Sequence, residues 1–281
     1  MESPKIRYKS PLFLAAALLA VGITSARADI RTTIQGAASG TTVTVTGTYT
    51  VSAKITVPSG VTVKGPATFK FTTGASADGF YIPAANHNVT LTSLTVTGAN
   101  HGIMVYGYSN SIQSCTTTAN QNTGIELIGS AAKNNVVNNC ISKLNADTAA
   151  AGGNADGFGA KQGCSSGNKF TNCDAHQNSD DGWDCEKSVS PVTISGCKSY
   201  NEGYASGLTG NGNGFKLGIA GDNVAHILTS STAYNNTLGD SAHGIAANHN
   251  TGAIKITSCH TYGNKNKDDL GNAVVSSSTL Q

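Results

Sequence analysis

Three short segments between residues 154 and 218 carry the side chains that could do chemistry. Each holds a Gly followed by an aromatic residue, flanked by acidic residues or a lysine: N-A-D-G-F (154–158), S-D-D-G-W-D (179–184) and N-G-F-K (213–216). If the Gly–aromatic pairs mark successive turns of one repeating structure, residues at equal distances from the Gly lie above one another. This spacing would gather four carboxylates and a lysine on one wall: Asp156, Asp180, Asp181, Asp184 and Lys216.

Carboxylates crowded in this way repel one another unless a cation or a proton lies between them. Oxygen ligands without His or Cys among them favour Ca²⁺ over a transition metal. The alternative interpretation is a set of exposed turn residues, because Asp is common beside Gly in turns. The in-phase lysine favours a site. We interpret Asp78 as a turn residue and Glu126 as a solvated residue rather than a ligand.

The elements that must position these residues form a repeat along most of the chain. A Gly followed by a large apolar residue recurs every 22 to 33 residues. A minimum spacing with irregular insertions is typical of a solenoid whose loops bulge outward. A second column of Cys and a third of Asn share the same phase, with Ser231 and Glu202 as exceptions: Cys115, Cys140, Cys173, Cys197, Cys259, and Asn120, Asn145, Asn178, Asn236, Asn264.

Short alternating segments such as T-V-T-V-T (42–46) predict strands separated by polar corners, and no helical pattern alternates with them. A doubly wound α/β fold is therefore excluded, and a sandwich would not give in-phase columns. The sequence predicts an all-β protein, a right-handed single-stranded parallel β-helix. Strand alternation points the second residue after each Gly outward, and we expect the residue before each Gly to face outward too. Asp156 and Asp181 would then lie on adjacent coils about 4.8 Å apart.

The two ends of the chain have their own patterns. Residues 1–28 combine a basic leader, an apolar run and an A-x-A sequence, which predicts a secretory signal peptide. We expect residues 29–281 to form the catalytic β-helix domain. Apolar residues at Ile30, Ile34 and Ala37 predict a short capping helix, because an open solenoid end would otherwise expose core. The tail after about residue 265 is expected to be loose.

The net charge of the chain limits the kinds of partner that it can bind. The signal segment contains four basic residues and one acidic residue, so its removal changes the formal net charge from +2 to −1. That balance excludes a polybasic nucleic-acid binder, and the apolar run of the leader is too short to span a membrane. We expect a secreted, extracellular monomer with no nucleic-acid or membrane partner. The charge does not exclude an acidic polymer as substrate, provided that a cation or local lysines supply the attraction.

The chain has seven cysteines, an odd number. A secreted chain favours disulfides, but five of the seven fall in one stacking column, where a reduced Cys packs well. We therefore expect stacked thiols in the column. Cys164 and Cys185 lie off the column and could pair with each other.

The segments N-A-D-G-F, S-D-D-G-W-D and N-G-F-K resemble the signature of the family 9 polysaccharide lyases, the parallel β-helix pectate lyases. The resemblance implies cleavage of polygalacturonate by Ca²⁺-dependent β-elimination, which leaves an unsaturated product end. It implies that Lys216 abstracts the C5 proton. If the base lies elsewhere, Lys187 and Lys161 are the next candidates. It also implies four Ca²⁺ ligands: Asp156, Asp180, Asp181 and Asp184.

Two other functions remain open. A β-helix polygalacturonase uses an N-x-D motif and a following Asp pair, which 154–156 and 180–181 imitate, and hydrolysis requires paired carboxylates. That enzyme class also needs an R-x-K motif, which is absent; Arg31 is the only arginine after residue 28 and lies at the cap. A non-catalytic Ca²⁺-binding, polysaccharide-binding β-helix would explain the aspartates but would leave Lys216 without a role.

Overall fold

The structure, a computed structural model, describes residues 29–281, so the predicted signal peptide at 1–28 lies outside the described residues. The described chain is built from short strands, one α-helix and one 3-10 turn, Gly74–Ser76. In chain order the elements are α1 (Ile30–Gln35), β1 (Thr42–Thr44), β2 (Gly47–Val51), β3 (Ile55–Thr56), β4 (Thr62–Phe71), β5 (Phe80–Ile82), β6 (Thr90–Thr97), β7 (Ile103–Val105), β8 (Ser111–Gln113), β9 (Thr116–Thr118), β10 (Ile125–Ile128), β11 (Val136–Asn138), β12 (Ile141–Lys143), β13 (Phe158–Lys161), β14 (Lys169–Thr171), β15 (Asp174–His176), β16 (Trp183–Asp184), β17 (Thr193–Ser195), β18 (Lys198–Tyr200), β19 (Phe215–Lys216), β20 (Ile227–Thr229), β21 (Thr232–Tyr234), β22 (Ile245–Ala246), β23 (Lys255–Thr257), β24 (His260–Tyr262) and β25 (Val274–Ser276).

These strands stack in parallel, each on the matching strand of the next coil, and the predicted parallel β-helix is confirmed. Eight of them, β3, β5, β7, β10, β13, β16, β19 and β22, form one sheet, which we call the site sheet. The other seventeen form a broad sheet. Most coils contribute two consecutive strands to the broad sheet, and a bend separates the two strands.

The Cys column marks these bends, and the Asn column marks the bend after the second strand. A residue in the left-handed region precedes each column residue; Asn139 (φ 53°) stands before Cys140 and Leu144 (φ 57°) before Asn145. The bend takes the following N–H out of the strand ladder, and a buried N–H needs an acceptor. The side chain of the next coil supplies it: the N–H of Cys140 donates to the Sγ of Cys173 at 3.5 Å, and the N–H of Asn145 donates to the Oδ1 of Asn178 at 3.2 Å.

Ser231 and Glu202, the two exceptions in the columns, also accept buried N–H groups from the coil before. The Oγ of Ser231 accepts the N–H of Cys197 at 3.1 Å. An oxygen of Glu202 accepts the N–H of Asn178 at 2.8 Å and its side-chain amide at 3.1 Å. Burial raises the pKa of Glu202 well above its usual range.

A third column of hydrogen-bonded side chains was not predicted from the sequence. Asn110, Asn135 and Asn168 are buried, and each Oδ1 accepts the N–H of the column residue one coil before, that of Val89, Asn110 or Asn135, at 2.9 to 3.0 Å. These residues stand five positions before Cys115, Cys140 and Cys173, a spacing that could have revealed them.

All seven cysteines are free and buried, so the expected stacked thiols are confirmed. The alternative pairing of Cys164 with Cys185 does not occur. The Sγ of Cys164 instead lies 3.1 Å from the side-chain amide of Asn168 and 3.7 Å from the carbonyl of Ala132. The sulfur atoms of the Cys column do not only fill apolar space; they also accept backbone N–H groups at the bends.

Both ends of the coil stack are closed. The predicted capping helix is α1, which buries Ile34 in the core and packs Ile30 and Ala37 against it. The expectation of a loose tail after about residue 265 is wrong, because β25 pairs with β23. The reason is that the last coil still has N–H groups without acceptors: the side chain of Gln281 accepts the N–H of Asn264 at 2.8 Å.

The core of the solenoid at the site is aromatic. Phe158 and Trp183 stack with ring centroids 4.6 Å apart, and Trp183 and Phe215 follow at 4.9 Å. All three are buried, which fixes the strands that carry the polar residues beside them. Among residues 29–281, no helix has the length and apolar character needed to cross a membrane.

We predict that Asn145→Ala lowers the free energy of unfolding by about 3 kcal/mol, because it leaves the N–H and the side-chain amide of Asn120 buried without their acceptor. Urea unfolding followed by circular dichroism measures this change. The matched control is Asn272→Ala, which removes one exposed hydrogen bond and should change the stability by less than about 0.5 kcal/mol. Equal effects of the two substitutions would contradict a stabilising ladder.

Candidate active site

The site sheet confirms the predicted stacking residue by residue. Gly159 of β13 pairs with Asp184 of β16, and Asp184 pairs with Lys216 of β19. The residues that precede each Gly, Asp156 and Asp181, also lie at matching positions on adjacent coils, because the N–H of Gly157 donates to the carbonyl of Asp181 at 2.9 Å. In-register stacking therefore brings together residues that are 25 to 60 positions apart in the sequence.

The structure corrects the expected exposure of these residues. We expected the acidic side chains to face outward, yet Asp156 and Asp181 are 0% exposed and Asp184 is 2% exposed. Lys161 and Lys216 contact these carboxylates, and two long loops, 147–153 and 203–212, pack beside them on Ser179 and Asp180. The Oγ of Ser179 donates to the carbonyl of Gly152 at 2.8 Å, and the N–H of Gly210 donates to the carbonyl of Ser179 at 2.6 Å.

Three of the four predicted ligands form a cluster. One oxygen of each of Asp156, Asp181 and Asp184 lies within 4.8 Å of the others. Asp180 is not in this group; its Oδ1 accepts the N–H of Asn211 at 2.7 Å, so it faces the loop 203–212. Its pKa is raised well above the usual range by burial and then by the charges of Asp181 and Asp156, which indicates that it lies close to the cluster.

Two lysines enter the cluster from opposite sides. The Nζ of Lys216 lies 3.0 Å from the Oδ2 of Asp184 and 3.5 Å from the Oδ2 of Asp181. The Nζ of Lys161 lies 2.6 Å from the Oδ2 of Asp156 and 3.2 Å from the Oδ2 of Asp184. Of the two fallback lysines named from the sequence, Lys161 is therefore in the cluster, whereas Lys187 is exposed.

Burial and charge set the protonation of these groups. Burial raises the pKa of Asp181 to about 7, with Lys216 opposing the rise and the neighbouring carboxylates adding to it. Burial also acts on Asp184, but Lys161 and Lys216 outweigh it and lower the pKa of Asp184. Burial disfavours the ammonium of Lys216, yet the surrounding carboxylates raise its pKa well above the usual range.

The cluster has the features of a hard-cation site. Its donors are carboxylate oxygens, without sulfur or imidazole, and Ca²⁺ prefers such ligands. The Oδ2 of Asp181 is buried and has no hydrogen-bond partner among the described residues, and a buried polar atom without a partner is costly. The donor set of Asp156, Asp181 and Asp184 therefore suits a hard cation such as Ca²⁺.

The sequence analysis missed a second group of charges. His101 lies between two carboxylates: its Nδ1 is 2.8 Å from Asp78 and its Nε2 is 3.0 Å from Glu126. Burial opposes the imidazolium, but the hydrogen bonds with both acids raise the pKa of His101 to about 9. The interpretation of Asp78 as a simple turn residue and of Glu126 as solvated is therefore wrong. Glu126 is 4% exposed.

With this geometry established, similarities to known proteins can be compared. A family model described as Pel9A-like, right handed beta helix region, matches residues 19–276. A pectate lyase L from Thermoclostridium stercorarium is 36% identical over 171 residues, which cover 55% of this chain and 13% of that protein. A pectate lyase L from Dickeya dadantii is 34% identical over 179 residues, which cover 62% of this chain and 41% of that protein.

Structural similarity extends further along the chain. The crystal structure of pectate lyase Pel9A superposes with a TM-score of 0.75 at 28% identity, over 89% of this chain and 72% of that one. The chain spans about two fifths of the length of the Dickeya relative and a smaller share of the Thermoclostridium protein. Because the family model covers most of the chain and its architecture agrees with the parallel coils described here, this protein belongs to the Pel9A-like right-handed β-helix family.

Proposed function

We propose that this protein is a pectate lyase that cleaves polygalacturonate by β-elimination at the carboxylate cluster. The observation that carries the proposal is the register that sets Lys216 directly above Asp184, with its Nζ among the acidic side chains. The names of the relatives, pectate lyase L and pectate lyase Pel9A, support the same reaction. An acidic polymer outside the cell fits the secreted location that residues 1–28 predict.

Lys216 is the proposed base. Its ammonium is held at the cluster by Asp181 and Asp184, and it must lose a proton before it can accept the C5 proton of the sugar. Asp156, Asp181 and Asp184, together with Asp180, are the proposed Ca²⁺ ligands. Bound Ca²⁺ would stabilise the negative charge that develops on the uronate and would lower the pKa of Lys216 by like-charge repulsion.

The burial of the site supports elimination by these groups. The side chain of Lys216 is only 9% exposed, so water competes poorly for its nitrogen and charge interactions are stronger than in solvent. The aromatic stack Phe158, Trp183 and Phe215 lies behind the acidic wall and holds the strand backbone in place. Lys216 and the carboxylates are therefore preorganised before substrate binds.

The first prediction concerns the product. Digestion of polygalacturonate should yield unsaturated ends that absorb in the ultraviolet, and a chelator should abolish the reaction until Ca²⁺ is restored. A hydrolase would give new reducing ends without the absorbance, and a binding protein would give neither. Either of those results, or full activity after exhaustive chelation, would overturn the proposal or its metal requirement.

The second prediction concerns Ca²⁺ affinity and pH. A carboxyl must be deprotonated to bind Ca²⁺. Because the pKa of Asp181 is about 7, Ca²⁺ affinity should rise with pH up to about 7 and fall by up to about tenfold for each pH unit below it. Calorimetric titration at several pH values measures this dependence.

Asp181→Asn should weaken Ca²⁺ binding and flatten the pH dependence, with an unchanged β-rich circular dichroism spectrum. Asp240→Asn, a substitution of an exposed acid, is the matched control and should leave both unchanged. Collapse of the spectrum in Asp181→Asn would show that the carboxylate holds the fold rather than a cation.

The third prediction concerns Lys216. Lys216→Ala should lower turnover by about a thousandfold or more, because general-base catalysis is lost, while Ca²⁺ binding persists. Lys216→Arg should be nearly as inactive, since a guanidinium keeps its proton. The turnover of the unmodified protein should rise toward alkaline pH as Lys216 loses its proton. Substantial lyase activity in Lys216→Ala would place the base elsewhere.

A further inference from the structure

Lys161 has no part in the elimination described above, yet it lies in the cluster. It ends β13, and its Nζ contacts the Oδ2 of Asp156 at 2.6 Å and the Oδ2 of Asp184 at 3.2 Å. These two oxygens are among the proposed Ca²⁺ ligands. An ammonium group and a metal ion cannot occupy the same position between two carboxylates, so the two cations compete.

The backbone beneath Lys161 is shaped to let it reach the cluster. In the site sheet, Gly159 pairs with Glu126 on one side and with Asp184 on the other. A Cβ at Gly159 would lie 3.3 Å from the Cε of Lys161 and 3.1 Å from the Cγ of Glu126. The missing side chain leaves the space through which the Lys161 stem crosses toward the next coil.

A cavity lies on the other side of Lys161. It has a volume of about 310 Å³, near the lower bound for small-molecule sites. Its lining is mostly polar and includes Lys161, Gln162, Asn154, Tyr106, Glu126 and Glu186. A Lys161 side chain that leaves the carboxylates would present its ammonium to this cavity, beside the reaction site.

The charge of the cluster indicates the ligand of that cavity. Once a divalent cation takes its place between Asp156 and Asp184, the ammonium of Lys161 is separated from both of its carboxylate partners. A buried excess charge needs a counter-charge. The proposed substrate supplies a carboxylate on every sugar, so an acidic sugar next to the cluster would balance it.

We propose that Lys161 is an internal counter-ion that a divalent cation displaces from Asp156 and Asp184, and that the displaced ammonium binds a uronate carboxylate in the adjacent cavity. This inference rests on the proposed function and deepens it. It makes the acidic-sugar subsite complete only after the cation has bound, and gives Lys161 a positioning role distinct from that of Lys216.

Two variants test the inference by calorimetry, with Ca²⁺ and with a galacturonate trimer as probes. Lys161→Met removes the competing charge and keeps the length of the side chain, so Ca²⁺ should bind about tenfold more tightly. With Ca²⁺ saturating, the trimer should bind about tenfold more weakly, because the charge-assisted contact is lost. Lys169→Met, a substitution of an exposed lysine on β14, should change neither affinity.

Gly159→Ala keeps the ammonium but obstructs its path over the coil, and Gly159 has no left-handed φ that an alanine would strain. Ca²⁺ should again bind more tightly, while trimer binding in saturating Ca²⁺ is retained. This variant separates displacement of Lys161 from loss of its charge. It also keeps the test decisive if Lys161→Met does not fold.

The opposite results overturn the inference. Unchanged or weaker Ca²⁺ binding in both variants would show that Lys161 does not compete with the cation. Trimer affinity unaffected by Lys161→Met would show that the ammonium is not the anchor. If the unmodified protein bound Ca²⁺ but neither bound nor cleaved galacturonate polymers, the proposed function would fail with the subsite, whereas the Ca²⁺ titrations would still report on displacement of Lys161.

Discussion

The structure depends on one recurring constraint: the bends at the Cys and Asn columns leave buried N–H groups that side chains of the next coil must accept. Asn, Cys and Ser can each do this, and so does one Glu. Because each acceptor must lie directly above its donor, these hydrogen bonds hold the coils in register. Loss of register by one residue would break all the ladders at once, so the stacking tolerates long loops but no slippage.

The same constraint creates the site. In-register stacking places chemically similar residues next to one another, and on the site sheet this brings together Asp156, Asp181 and Asp184. Elsewhere in the solenoid identical neighbours are favourable, because amides and thiols pair with their own kind. Carboxylates do not, so the wall needs positive charge, and the chain provides it with Lys161 and Lys216 from the flanking strands. A stacking fold thus concentrates charge that a cation can use.

Much of this was accessible from the sequence, since a column is a one-dimensional pattern. The Gly phase gave the register of β13, β16 and β19 correctly, including the contact of Asp184 with Lys216. The direction and burial of side chains were not accessible. Asp156 is buried by side-chain contacts with Thr123 and Lys161, and the spacing of the columns does not reveal these contacts. His101 also escaped notice, because its two partners, Asp78 and Glu126, occupy two different columns.

The contrast between Lys161 and Lys216 shows why position within a coil matters more than residue type. Both are buried lysines in contact with Asp184. Lys216 stands in the column itself, so its stem is fixed by the register and its nitrogen stays above Asp184. Lys161 pairs with Ile128, lies two residues beyond the column, and reaches back across Gly159 with its side chain. A base needs a fixed nitrogen, whereas a counter-ion that leaves needs a side chain able to swing away. These two geometries match the roles proposed for Lys216 and Lys161.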